Sequence, residues 1–319
     1  MNILVTGGAG FIGSHIVEFL KNAGHSIAVL DDLSTGRRVN VPVGVKMMVK
    51  PTSQVGKGDV AAKDCIIHCA AQCAQILSVD NPGEDFKRNA LSTFRLFEMI
   101  RKFNDGALIL STSSRSVLGD IAEGEIADES FPYFPSNFYN VHKIYGELLA
   151  KIYTQLYGMK FVVFRPTNVY GPRQPYWVKG LYNFTAYWIK LGLEGKPLPI
   201  YGTGMQVRDY TYVDDIAKAY VLALNCPQAV GETFLLSSER GTNLIELAEM
   251  VNGLTDNKAG TNFMPARKVD IMRFISTSAK AKQILGWTAA VPLEQGLMSE
   301  VEWVKQDLAG RRRTCALAD

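Results

Sequence analysis

The stretch NILVTGGAGFIGSH, residues 2–15, constrains the fold more than any other part of this chain. NILVT is short and apolar and reads as a strand, and IGSHIVEFLKNAG reads as an amphipathic helix. Between them Gly7, Gly10 and Gly13 recur with the spacing G-x-x-G-x-x-G. Each glycine has its own reason. The first permits a tight turn, the second lets backbone approach a pyrophosphate, and the third lets helix and strand pack closely. The helix N-terminus then faces the anion. The spacing carries weight because a strand precedes it and a helix follows.

The pattern continues down the chain. SIAVLD, VKMMVK, DCIIHC, ALILSTS and KFVVFRP read as further strands, separated by helical stretches such as FKRNALSTFRLFEMIRKF. Near-continuous apolar strands alternating with helices point to a parallel sheet covered on both faces. The second strand ends at Asp31 and Asp32, 18 and 19 residues past Gly13. A carboxylate there accepts hydrogen bonds from a ribose diol and repels a 2′-phosphate, which favours NAD over NADP. Arg37 and Arg38 are the nearby residues that could hold that phosphate instead.

After Pro166 the texture changes. NVYGPRQPYW and GKPLPIYGTG read as loops around one helix near LYNFTAYWIKLGLEG. YVDDIAKAYVLAL returns to helix and ETFLLSS to strand, and the remainder looks helical. The fold class expected is α/β: a Rossmann-type doubly wound parallel sheet with a smaller, mostly helical C-terminal substrate lobe. Residues 1–167 and 206–240 are assigned to the dinucleotide-binding domain, and 168–205 with 241–319 to the second lobe. A chain of 319 residues suits two lobes.

A net charge of +3 gives no reason to expect a nucleic-acid partner. The run Arg311, Arg312, Arg313 reads as a solvated end. Five scattered cysteines do not make a disulfide framework, and Cys69 with Cys73 lacks a second pair at zinc spacing. Buried thiols, no metal site and a reducing cytoplasm are expected. The first strand begins at once, so no signal peptide is expected, and no apolar run is long enough to span a bilayer.

PSNFYNVHKIYGE, residues 135–147, places Tyr139 four residues before Lys143, on one face of a helix. A free phenol has a pKa of about 10 and is a poor base at neutral pH. A nearby ammonium, and the positive ring of an oxidised nicotinamide, would favour phenolate. The pair then suits removal of a hydroxyl proton as hydride leaves the same carbon. Ser113 and Ser114 lie at a predicted strand end, where open parallel sheets place ligands and a serine can bind the same hydroxyl.

With these residues in view, the chain resembles the extended short-chain dehydrogenase/reductase family of NAD-dependent nucleotide-sugar epimerases and dehydratases. TGGAGFIGSH, DDLSTGR, HCAAQ, the Ser114 strand end, YNVHK, RPTNVYGPRQ, GTGMQVRDYTYVDD and ILGW follow in the family's order over nearly the whole chain. The resemblance implies catalytic roles for Ser114, Tyr139 and Lys143. The 25 residues between Ser114 and Tyr139 are similar to the interval in UDP-galactose 4-epimerases. It implies a cofactor surface of Gly7, Gly10, Phe11, Ile12, Gly13, Asp31, Asp32, Ser34, Thr35, Gly36, Ala70, Ala71, Gln72, Asn89, Ser113, Tyr139, Lys143 and Pro166. It also implies a nucleotide-diphosphate sugar as substrate, contacted by Ser114, Arg115, Asn168, Arg208, Arg267, Asp270 and Phe274. Family members often pair through the helix carrying the tyrosine and lysine, so a homodimer is expected.

The residues after Ser114 separate the family's reactions. Its 4,6-dehydratases carry an Asp-Glu pair there, and similar decarboxylases carry a glutamate at the position of Ser116. Arg115 and Ser116 cannot perform that acid–base work. The expectation is epimerisation at carbon 4 through a transient 4-keto sugar. The alternatives are a dehydratase, a decarboxylase, a carbon 2 epimerase, or a non-catalytic NAD-binding regulator on the same fold. The chain departs from the family at Leu118, which replaces a tyrosine, and at KPTS, which lacks the Gly-Asp that contacts adenine. Phe274 implies a small substituent at carbon 2. Arg115, a cation beside the catalytic serine, suggests an acidic sugar such as a uronate.

Overall fold

The computed structural model describes residues 1–177, 184–266 and 271–316, with backbone alone at 184 and 312–316. The strands read from the sequence form in order: β1 (Asn2–Thr6), β2 (Ser26–Asp31), β3 (Lys46–Val49), β4 (Cys65–His68), β5 (Leu108–Thr112) and β6 (Lys160–Pro166). Beyond them come β7 (Asn168–Tyr170), β8 (Leu198–Tyr201), β9 (Val207–Tyr212), β10 (Thr233–Leu236), β11 (Gly241–Asn243) and β12 (Thr261–Met264). The main sheet runs β10-β6-β5-β4-β1-β2-β3 and every pairing in it is parallel. Strand order reverses between β1 and β4. The crevice beyond the carboxyl ends of those two strands is the natural binding place in such a sheet.

Burial on both faces explains the unbroken apolar strands. Ile3 and Val5 pack into one cluster with Ile16, Leu20 and Tyr220, while Leu4 packs into another with Leu96, Phe97 and Tyr153. Successive side chains of a strand point to opposite faces, so a sheet with helices on both sides needs apolar residues at every position. The first cluster uses the helices Phe11–Asn22 and Val213–Leu224, and the second uses Ser92–Phe103 and Phe138–Tyr157. The last of these, the Tyr139 helix, starts where Asn137 Oδ1 accepts the Asn140 amide at 3.0 Å, and it ends at Gly158 with φ +68°. Both ends are local signals: a side-chain N-cap and a left-handed glycine stop.

A separate hydrophobic cluster holds Tyr170, Trp188, Ile189, Tyr210, Tyr212, Leu244, Leu247, Val251, Leu297, Val301 and Val304. Its helices are Phe184–Leu193, Leu244–Thr255 and Leu293–Ala316. Sequence reading expected loops around a helix in the segment after Pro166. The structure adds β7 and β8 there, pairing β7 with β9 and β8 with β12. Three- and four-residue strands among glycines and prolines fall below any periodic signal.

Candidate active site

The glycine loop is held by backbone geometry. Gly7 has φ +71°, and a Cβ there would lie 2.6 Å from the Ala70 amide nitrogen. A Cβ on Gly13 would lie 2.1 Å from the Gly7 carbonyl oxygen. The first position therefore needs a left-handed residue without a side chain, and the last admits no side chain at all. Asp31 closes the loop from below. Its Oδ2 accepts the Ala9 amide at 2.9 Å and its Oδ1 accepts the Leu33 amide at 2.8 Å. Burial pushes the Asp31 carboxyl up, and those backbone bonds oppose the shift. A carboxylate has about four lone-pair sites, so acceptor capacity remains for a ribose diol. Arg37 is not turned to this task. It pairs with Asp307 and lies 5.1 Å from the Trp177 ring centroid. The cradle without Cβ atoms, a carboxylate at the second strand end and a committed Arg37 together fit NAD.

A cavity of about 880 Å³ runs from this loop across the ends of β1 and β4 to the Tyr139 helix. Tyr139 is 6% exposed and faces Ser114, with which it hydrogen-bonds. Lys143 Nζ lies 5.7 Å from the Tyr139 ring centroid and donates to the Thr112 carbonyl at 2.9 Å. Among the chain's own groups burial wins at the tyrosine. It pushes the phenol well above its usual range, aided by Cys73, while the Ser114 bond and the Arg115 charge oppose it. The expectation of a ready base invoked two positive charges, the Lys143 ammonium and an oxidised nicotinamide ring, and the chain itself supplies only the first. Desolvation in a closed site outweighs a cation that hydrogen-bonds elsewhere. Burial also pulls the Lys143 ammonium down, with Cys73, Cys69, Asp85 and Glu147 acting against it.

Two buried networks hold these residues. Glu147, two turns along from Tyr139, accepts Ser113 Oγ, Tyr133 Oη at 2.9 Å and Arg165 Nη2 at 2.6 Å. It ties the β5 end, the β6 end and the Tyr139 helix together. Asp85 accepts His142 Nδ1 at 2.5 Å, Gln72 Nε2 at 2.8 Å and Asn89 Nδ2 at 2.9 Å. Asn89 in turn accepts the Gln72 amide at 2.8 Å, from a widened π-type turn at Phe86–Leu91. This clamp fixes the loop after β4 that carries Ala70, Ala71 and Gln72. Cys73, expected to be buried, is exposed and lines the cavity, because that loop turns out over the crevice.

Residues 3–236 match the model of the NAD dependent epimerase/dehydratase family. The chain belongs to that family. UDP-glucose 4-epimerase of Mycolicibacterium smegmatis is 32% identical over 314 residues, covering 96% of this chain and 99% of the relative. The crystal structure of UDP-glucose 4-epimerase with UDP-glucose from Thermotoga maritima superposes with a TM-score of 0.90 at 32% identity, covering 97% of this chain and all of that one. The UDP-glucose 4-epimerase of Thermus thermophilus, solved with NAD, gives a TM-score of 0.88 at 33% identity, covering 96% of this chain and 99% of that one.

Most residues that the family resemblance singles out are brought to one cavity. Gly7, Gly10, Phe11, Ile12, Gly13, Asp31, Asp32, Ser34, Thr35, Ala70, Ala71, Gln72, Ser113, Ser114, Arg115, Tyr139, Lys143, Pro166 and Asn168 all line it. Four others stand behind the lining. Gly36 packs on the glycine loop, where a Cβ would lie 2.9 Å from the Ala9 carbonyl carbon. Asn89 holds Gln72 rather than facing the cavity. Arg208 is buried in β9, and Phe274 is fully buried beneath Arg115. Arg267 and Asp270 lie outside the described residues. Gln174, Thr185 and Tyr210 also line the cavity and were not predicted. Gln174 Oε1 accepts Thr185 Oγ1 at 2.6 Å and the Ala186 amide at 3.1 Å, joining the loop after β7 to the next helix. Gln174 and Tyr210 fall inside RPTNVYGPRQ and GTGMQVRDYTYVDD, but nothing in those stretches singles them out, and Thr185 lies in none of the motifs.

Proposed function

We propose that this chain epimerises a nucleotide-diphosphate sugar at carbon 4. The observation that carries the reading is the meeting of Tyr139 and Ser114, beside Lys143, in a cavity continuous with the glycine loop. Ser114 and Tyr139 bind one substrate hydroxyl, and Tyr139 holds the proton that leaves it. Lys143, fixed on the Thr112 carbonyl, keeps a positive charge near the phenol and favours its ionised form. NAD, when bound against Gly7, Gly10 and Asp31, supplies the hydride acceptor and returns the hydride. Burial of the site excludes water that would compete for the proton.

Neither Arg115 nor Ser116 supplies the carboxylate that a dehydratase or decarboxylase needs after its serine or threonine. Of the cavity's carboxylates, Asp31 is bonded to loop amides, Asp32 to the Ser34 amide, Glu84 to Arg88 and Asp85 to His142. The test is proton NMR with mass spectrometry on a panel of UDP-, dTDP-, CDP- and GDP-sugars in heavy water. A 4-epimer of unchanged mass without carbon-bound deuterium is the expected product. Loss of water or carbon dioxide, or deuterium wash-in, overturns the reading.

The two lobes divide the work in this proposal, the sheet domain holding NAD and the second lobe the nucleotide and sugar. The working state is a homodimer. Phe138, Val141, Leu148, Ile152 and Leu156 leave a half-exposed apolar stripe along the Tyr139 helix. A stripe of that spacing suits a helix-on-helix contact. A monomeric mass by light scattering would overturn it. No described helix is long and apolar enough to cross a membrane. The described cysteines are free, as a reducing cytoplasm would keep them.

A further inference from the structure

Arg115 is a feature of the site that the reaction above leaves unused. It follows Ser114 directly and lines the same cavity, yet the residue is only 7% exposed. Its guanidinium carbon lies 4.7 Å over the Phe274 ring, which holds the planar group in place. Its Nη1 is buried without a hydrogen-bond acceptor among the described residues. The charged groups near it are Arg208, Tyr210, Asp209 and Asp120. The two acids are engaged elsewhere. Asp209 accepts Ser237, Ser238 and the Glu239 amide, and Asp120 accepts the amides of Met272 and Arg273. Burial first and Arg208 second pull Arg115 down to about 9, as expected of a cation that no described anion pairs.

A buried, unpaired cation is costly unless a ligand brings the counter-charge. Ser114 and Tyr139 mark where the reacting hydroxyl sits, so the next residue flanks the neighbouring ring carbons. In a hexopyranose, carbon 4 lies between carbons 3 and 5, and the diphosphate hangs from carbon 1 across the ring. The acid nearest the reacting carbon is therefore a carboxylate on carbon 5. We propose that Arg115 determines specificity for a nucleotide-diphosphate uronic sugar, its guanidinium receiving that carboxylate. A neutral sugar would bring only a hydroxymethyl group and leave the cation unpaired, which is discrimination against the wrong substrate. The proposal rests on the reading that Ser114 and Tyr139 bracket the reacting hydroxyl.

The test compares UDP-glucuronate with UDP-glucose on the NAD-loaded full chain, by kcat/KM and by calorimetric binding. The expected preference for the uronate is roughly 10- to 100-fold, the worth of one charge-assisted hydrogen-bond pair. Arg115→Met should erase it, lowering kcat/KM for UDP-glucuronate at least about tenfold more than for UDP-glucose. Arg115→Lys, which keeps the charge but not the fork, should retain part of the preference. A wild-type ratio near one overturns the proposal, whether or not the variants fold. Equal losses on both sugars in Arg115→Met also overturn it, placing Arg115 on the diphosphate or in the scaffold. Tight, Arg115-dependent uronate binding without conversion to the 4-epimer supports the proposal and sinks only the 4-epimerase reading. Binding of neither sugar removes both.

Discussion

At the glycine end of the cavity, backbone does the recognising. Gly7 and Gly13 exclude a Cβ, and the acid below the loop is satisfied by its amides. Opposite it, the wall from Ser114 to Tyr210 is made of side chains carried by β5, the Tyr139 helix, the loop after β7 and β9. One of its polar atoms is left short: among the described residues Arg115 Nη1 is buried without a hydrogen-bond partner. The two ends differ because their ligands differ. A dinucleotide offers the same pyrophosphate and ribose to every enzyme that uses it, and backbone geometry with one carboxylate suffices to meet them. A particular sugar is told from its isomers only by placed side chains, and those stay unpaired until the sugar supplies the missing group.

The sharpest way to break this division is Tyr139→Phe. It should lower kcat about 10³-fold or more, the usual worth of a general acid–base. NAD should remain bound, as measured by dinucleotide released on denaturation. Loss of NAD together with activity would show that the two ends are not separable. Next comes Glu147→Ala, which strips Arg165, Ser113 and Tyr133 of their shared acceptor. Leaving a buried guanidinium uncompensated should cost about 3–5 kcal/mol in urea unfolding. A loss under about 1 kcal/mol would mean that the wall is held by other contacts.

Gly13→Ala probes the other end. Its methyl group would meet the Gly7 carbonyl, and overpacking of this kind costs about 1–3 kcal/mol. NAD affinity should fall with the melting temperature, while UDP binding is unchanged. Equal losses of NAD and UDP would erase the contrast.

The effect smallest per step of its titration concerns Glu300, whose carboxyl burial pushes up to about 8 against bonds from the Gly171 amide and Thr185. An unfolded glutamate titrates near pH 4.3. Between roughly pH 4.5 and 8 the native protein keeps a proton that the unfolded chain has released. Stability should then fall as pH rises, by about 1 kcal/mol per pH unit from this group. Urea titrations from pH 5 to 8 should show a steeper fall in the wild type than in Glu300→Gln. Equal slopes would mean that Glu300 is ionised and paired in the folded state.

How legible each part was follows the same physics. β1, the glycine loop and the Tyr139 helix announce themselves, because strand period, missing Cβ atoms, an Asn N-cap and a terminal glycine are local properties. The Asp85–His142–Gln72 clamp and the Glu147–Arg165 pair could not be read, because each joins residues 13 to 57 positions apart. Gln174 and Thr185 were missed for the same reason. The burial that opposes ionisation of the Tyr139 phenol in the chain by itself could not be read from the spacing of Tyr139 and Lys143. Arg115 was visible as an oddity. Only packing showed that it is enclosed, laid on Phe274 and lacking an acceptor at Nη1.

By itself the sequence determined the parallel sheet and the glycine cradle, since each follows from short-range periodicity or from a residue type that no other can replace; reacting roles for Ser114, Tyr139 and Lys143 came from the family resemblance and belong to the proposal. Tertiary structure alone decided which charges are buried, which are paired and which wait for a ligand. Desolvation depends on everything packed around a group, and that neighbourhood is assembled from residues far apart in the chain.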